Sequence, residues 1–73
     1  MSEKTEMMAD MIKNLAALLI EQNSGMTMEE ALATVFNSET YRKIMDERTN
    51  FYYQSHYYVF AFLKEELTKG KFE

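Results

Sequence analysis

Residues 26–40 read MTMEEALATVFNSET, and this stretch contains the signals that decide the fold. Thr27 and Glu30 have the spacing of a capping box, in which the threonine hydroxyl accepts the third helical amide and the glutamate reaches back to the cap. Met26 precedes the cap, where an apolar side chain can act as a hydrophobic staple. Because apolar residues then repeat at helical spacing, we predict a second helix over about residues 28–36.

The segments on either side of this stretch carry helical signals as well. Upstream, apolar residues repeat at helical spacing over about residues 5–22, and Gly25 follows where the chain must turn. Downstream, Ser38 is a suitable N-cap for a third helix over about residues 39–47. Apolar side chains repeat once more over about residues 56–69, which we predict to be the last helix.

The predicted fold class is all-α, with residues 1–73 forming a single domain built as a small bundle of three to four short helices. The sequence leaves two conformations possible for Phe51–Tyr53, a short extended stretch or a loop. The extended one agrees with the preference of aromatic residues for strands. Just before it, Asn50 is the residue expected to adopt a positive φ. A core this small, without disulfides, leaves helix packing and oligomerisation as the sources of stability.

The methionines allow two interpretations. They could form an adaptable binding surface, but methionine at helical spacing more commonly fills gaps in a core, and we expect core positions. The set consists of Met7, Met8, Met11, Met26, Met28 and Met45.

Composition excludes several classes of function. The chain has no cysteine, one histidine and two glycines. It therefore offers no disulfide framework, thiolate zinc site, multi-histidine metal site or glycine-rich phosphate loop. No secretory signal is visible, and the apolar runs are far shorter than the roughly 20 residues that span a bilayer. We expect a cytoplasmic protein with no cofactor and no membrane contact.

Catalytic groups are also sparse. His56 is the one side chain that titrates near neutrality without help, and no serine and aspartate arrangement accompanies it. Neighbouring acidic residues such as Glu65 and Glu66 point in different directions on a helix, and we expect this pair to flank Lys64 on a solvated face. The sequence therefore predicts a protein that is not an enzyme.

Tyrosine is concentrated near the start of the last predicted helix, which is apolar nearly all round and so needs cover on more than one side. Because tyrosine is enriched at interface hot spots, we expect these rings to bind a protein partner or a second copy, most simply as a dimer. The alternative is that the rings only cover a small core, with their hydroxyls in water. The candidate interface consists of Tyr52, Tyr53, His56, Tyr57, Tyr58 and Phe62.

Residues 27–45 allow a second function, that of a small DNA-binding regulator. Two short helices meet at Asn37–Ser38, although a helix-turn-helix usually has a longer turn of about three to four residues. The net charge of −4 also disfavours nucleic acid, since phosphate contacts need clustered positive charge. The candidate DNA contacts are Thr40, Arg42, Lys43 and Arg48.

Two motifs carry a resemblance to a known family. Residues 37–41 read NSETY and residues 46–55 read DERTNFYYQS, and Glu30–Leu32 precedes them in a helix. Over about residues 12–70, this pattern resembles a small all-helical bacterial domain family of unknown function. The resemblance implies a helical fold and no catalytic residue. Because some such families lie beside toxin or mobile-element genes, it also implies an accessory or antitoxin-like role.

Overall fold

The computed structural model describes residues 2–69, and within them the chain forms four α-helices and no strand. The helices are α1 (Glu3–Gln22), α2 (Met28–Phe36), α3 (Glu39–Met45) and α4 (His56–Lys69). Two short 3₁₀ turns, Glu47–Thr49 and Phe51–Tyr53, connect α3 to α4. The predicted all-α fold is confirmed.

Helix boundaries follow the caps. The predicted capping box is present: the Glu30 amide donates to the Thr27 hydroxyl at 3.1 Å, and the Thr27 amide donates to the Glu30 carboxylate at 2.9 Å. The first helix starts earlier than predicted, because the Ser2 hydroxyl accepts the Thr5 amide at 3.2 Å. The third helix ends at Met45, two residues before the predicted end.

The segment Phe51–Tyr53 is a 3₁₀ turn, which is neither the strand nor the loop that the sequence left open. Asn50 precedes it with φ 59° and ψ 19°, so the predicted positive φ is confirmed. The Thr49 hydroxyl donates to the carbonyl of Lys43 and accepts the amide of Phe51 at 3.1 Å. This hydroxyl therefore ties the second 3₁₀ turn to the end of α3.

The core lies where α1 packs against the other helices. Its fully covered side chains include Leu15 of α1, Val35 of α2, Ile44 of α3, and Val59 and Leu63 of α4. Each helix thus contributes at least one side chain that water does not reach, and burial of this kind is the main favourable term in folding.

The methionines divide between core and surface. Met8 and Met11 are buried, as predicted. The prediction is wrong for Met28 and Met45, which expose 45% and 43% of their surface. In a bundle this small, α2 and α3 each bury only one side, so an apolar residue at the edge of the stripe stays in contact with solvent.

Glu66 of α4 is buried, with 6% of its surface exposed. Its carboxylate accepts the backbone amides of Glu39 at 2.6 Å and Thr40 at 3.0 Å, and the Thr40 hydroxyl at 2.8 Å. The prediction of a solvated face is therefore wrong for Glu66, which continues the buried stripe of Val59 and Leu63. Amides at a helix N-terminus lack partners within the helix and favour a negative charge, so Glu66 joins α4 to the start of α3.

Candidate interaction surface

The aromatic surface is formed by the second 3₁₀ turn and the first two turns of α4. Three of its rings are largely exposed: Tyr53, Tyr57 and Tyr58 show 71%, 67% and 51% of their surface to solvent. Its other three residues are half-buried. The aromatic surface comprises Tyr52, Tyr53, His56, Tyr57, Tyr58 and Phe62, the residues that the sequence indicated.

Every ring of the aromatic surface contacts another ring of the set. Tyr58 meets Phe62 edge-on, with centroids 5.3 Å apart and planes at 70°. The centroids of Tyr52 and Tyr53 are 6.3 Å apart, and those of His56 and Tyr57 are 4.4 Å apart. Edge-to-face and tilted geometries are the ones that aromatic quadrupoles favour. Each ring of the aromatic surface therefore has at least one aromatic neighbour.

Phe51 packs against two rings of the aromatic surface, Tyr58 and Phe62. It is half-buried, and its ring centroid lies 5.0 Å from that of Phe62 and 6.4 Å from that of Tyr58. The sequence-based set omitted Phe51. Phe51 also packs against the hydrophobic core, and its apolar side chain directly before Tyr52 and Tyr53 was the available sequence signal.

Helix α1 reaches the other side of the aromatic surface. Tyr52 and His56 share with α1 a hollow of about 230 Å³. The hollow is lined by Met7, Asp10, Met11, Asn14, Tyr52, Gln54, Ser55 and His56. Polar groups beside an aromatic cluster are typical of the rim of a protein interface.

Ser55 holds the first turn of α4. Its hydroxyl accepts the amide of Tyr58 at 3.2 Å, and its carbonyl accepts the amide of Val59 at 3.2 Å. The backbone that presents Tyr57 and Tyr58 is therefore hydrogen-bonded from its first residue.

The candidate DNA contacts do not form a basic stripe. Thr40 is fully buried and donates its hydroxyl to Glu66, so it is removed from the set of surface contacts. Arg42 lies 3.4 Å from the Glu39 carboxylate. Phosphate binding needs cations that are free to meet it, and this surface offers few.

Arg48 is the most exposed of the candidate cations, and it pairs with Asp46 at 2.9 Å. The side-chain hydrogen bond from Arg48, with a second bond from its backbone amide, holds the pKa of the Asp46 carboxyl below its ordinary value. The same side-chain bond raises the pKa of Arg48. Lys43, the remaining candidate, is half-buried.

Within residues 2–69, no three histidine, aspartate or glutamate side chains are placed to hold a metal ion. None of the described helices combines the length and the apolar character needed to cross a bilayer.

Comparison with protein-family models, curated proteins and solved structures finds no match to this chain. The resemblance to a small bacterial helical family therefore stays a prediction, as does the accessory or antitoxin-like role that it implies.

Proposed function

We propose that this chain is a non-enzymatic, cytoplasmic interaction domain that binds protein through the aromatic surface, with a homodimer as the simplest assembly. The observation that carries the proposal is the exposure of Tyr53, Tyr57 and Tyr58, each by more than half, on rings that neighbouring rings already hold in place. Tyrosine buries a large area at low entropic cost, which is why it recurs at hot spots.

The exposed area supports an interface of modest size. Taking about 200 Å² for a whole tyrosine, the three exposed rings offer about 380 Å². A standard interface buries about 800 Å² on each partner. The tyrosines thus supply about half of one side, and the remainder has to come from the residues around them.

Charged residues of α4 lie one to three turns beyond the tyrosines and fit the role of a polar rim. Lys64 and Glu65 are both exposed, and Glu65 pairs with Lys69 at 3.1 Å. In protein interfaces, such charges surround an aromatic centre and contribute to orientation more than to affinity.

Sedimentation velocity over a wide concentration range tests this proposal. We expect the wild-type chain to pass from monomer to dimer as its concentration rises towards about 1 mM, and a Tyr57→Ser/Tyr58→Ser double variant to remain a monomer. Because both rings are largely exposed, the variant should keep the helical circular dichroism of the wild type.

Met45→Ser is the matched control, since it also removes a large exposed apolar side chain but lies on α3 outside the aromatic surface. It should dimerise like the wild type. A wild-type chain that stays monomeric at the highest concentration, or a dimer that survives the loss of both tyrosines, would show that the proposal is wrong.

An accessory or antitoxin-like role, which the sequence resemblance implies, requires protein binding and no catalysis. A domain that presents a preformed aromatic surface is suited to that role as well. The DNA-binding alternative receives no comparable support from the geometry, because Thr40 is buried and Arg42 and Arg48 each face a carboxylate.

A further inference from the structure

A second apolar feature, separate from the aromatic surface, lies between α1 and α2. This α1–α2 groove has a volume of about 390 Å³ and shares no residue with the aromatic surface. Met28 and Phe36 expose 45% and 50% of their surface, so the groove opens to solvent. The groove is lined by Ala9, Ile12, Lys13, Met28, Leu32 and Phe36.

We propose that the α1–α2 groove binds an amphipathic helix of a partner protein, one that carries two large apolar side chains a turn apart and a carboxylate beside them. This goes beyond the proposed function, because it assigns a second docking surface that is independent of the aromatic one.

The shape of the groove favours a helix. Its α2 wall consists of Met28, Leu32 and Phe36, which repeat every four residues and span about 12 Å along the helix axis. Helices pack by placing ridges of residues four apart into grooves of this kind. The described residues contain no strand, so a partner has no sheet edge to extend, and the four-residue ridge of α2 fits the helix-in-groove mode of recognition.

The charge of the groove determines which side chains the bound partner helix should carry beside its apolar residues. Lys13 is the one charged side chain in an otherwise apolar lining, and it is exposed. Within the described part of the chain it has no carboxylate partner, whereas most other cations there do. An unpaired cation beside an apolar groove favours an occupant with a carboxylate at the matching position. The paired cations are Lys4, Arg42, Arg48 and Lys69.

Three fluorescent synthetic peptides, each stapled as a helix of about 15 residues, test the inference on the full chain by anisotropy. The acidic peptide has two leucines four residues apart with glutamate on both flanks. The basic peptide has lysine in place of glutamate, and the polar peptide has serine in place of both leucines. We expect the acidic peptide to bind about twofold to fivefold more tightly than the basic one, and the polar peptide not to bind.

A charge exchange locates the binding site. Lys13→Glu should reverse the preference, so that the basic peptide binds more tightly. The matched control is Arg42→Glu, which makes the same change of charge at an exposed residue of α3, outside both the α1–α2 groove and the aromatic surface. That control should leave the preference for the acidic peptide unchanged.

Two variants test the apolar wall. Met28→Ser and Phe36→Ser should each weaken binding of the acidic peptide by about tenfold. The ring of Phe36 contacts that of Tyr41, with centroids 5.2 Å apart, so its variant can also loosen the fold. Met28 is the first residue of α2. If Phe36→Ser unfolds the chain, Met28→Ser still tests the apolar wall.

Several results would overturn the inference. They are equal binding of acidic and basic peptides, no binding of either, no effect of Met28→Ser, or a change in the oligomeric state of the chain on Met28→Ser, which would assign the groove to a second copy. Binding that disappears in the Tyr57→Ser/Tyr58→Ser variant would also overturn it, since the peptide would then lie on the aromatic surface. If the Tyr57→Ser/Tyr58→Ser variant no longer self-associates but still binds the acidic peptide, the aromatic surface and the α1–α2 groove are two independent binding surfaces.

Discussion

Replacing Glu66 by alanine should destabilise the chain far more than replacing its neighbour Glu65. The change leaves the amides of Glu39 and Thr40, and the Thr40 hydroxyl, without their acceptor. A buried donor left unpaired costs about 1–3 kcal/mol, and the Glu39 amide lies close enough to the surface for water to replace part of the loss. We therefore expect a loss of about 3 kcal/mol in the free energy of unfolding.

This loss is large for a chain of 73 residues, whose whole stability is expected to be about 4–11 kcal/mol. It corresponds to a fall in Tm of about 12–24 °C. Two partial changes calibrate the size of the effect. Glu66→Gln keeps one acceptor and should cost about half as much, whereas Thr40→Val removes only the hydroxyl and should cost about 1 kcal/mol.

Urea denaturation followed by far-ultraviolet circular dichroism measures these differences. The control is Glu65→Ala, which removes an exposed carboxylate that pairs with Lys69 and should cost less than about 0.5 kcal/mol. If Glu66→Ala and Glu65→Ala unfold at the same urea concentration, the carboxylate of Glu66 does not stabilise the start of α3.

Three smaller predictions concern the caps and turns. Thr27→Ala breaks the capping box and should lower the free energy of unfolding by about 1 kcal/mol in the same urea assay. Asn50→Val places a β-branched residue at φ 59° and should cost about 1–2 kcal/mol, whereas Asn50→Gly should be close to neutral by thermal melting. Because Arg48 lowers the pKa of Asp46, folding favours the ionised carboxyl. This adds to the free energy of unfolding above the unfolded pKa of 3.8, and the added stability is lost as the pH falls through the lower pKa of the folded chain. Asp46→Asn should remove that part of the acid sensitivity in a pH titration of unfolding.

The parts of the fold that depend on local signals could be predicted. The capping box of Thr27 and Glu30 and the positive φ of Asn50 each involve residues that are adjacent or three apart. The role of Glu66 could not be predicted in this way, because its partners Glu39 and Thr40 lie 27 and 26 residues away. From the sequence alone, Glu66 has the character of any other charged residue on a helix.

The aromatic surface was partly predictable for a related reason. A helix that starts with apolar residues on all sides has more rings than one neighbour can cover, and the exposure of Tyr57 and Tyr58 follows from that excess. The 3₁₀ turn was not predictable, because the Thr49 hydroxyl holds it in place against the preference of aromatic residues for strands. Thr40 was misplaced as a surface contact because its burial depends on the distant Glu66.

The contact between Glu66 and the start of α3 closes the intervening chain into a non-covalent loop. Small domains without a large core commonly use a disulfide or a metal ion for such closure, and this chain has no cysteine. With only seven residues, α3 is too short to be stable alone. Its first amides are satisfied by Ser38 at its own N-cap and by Glu66 of α4. Docking of α4 thus stabilises the start of α3, much as a covalent crosslink would join two distant segments of the chain.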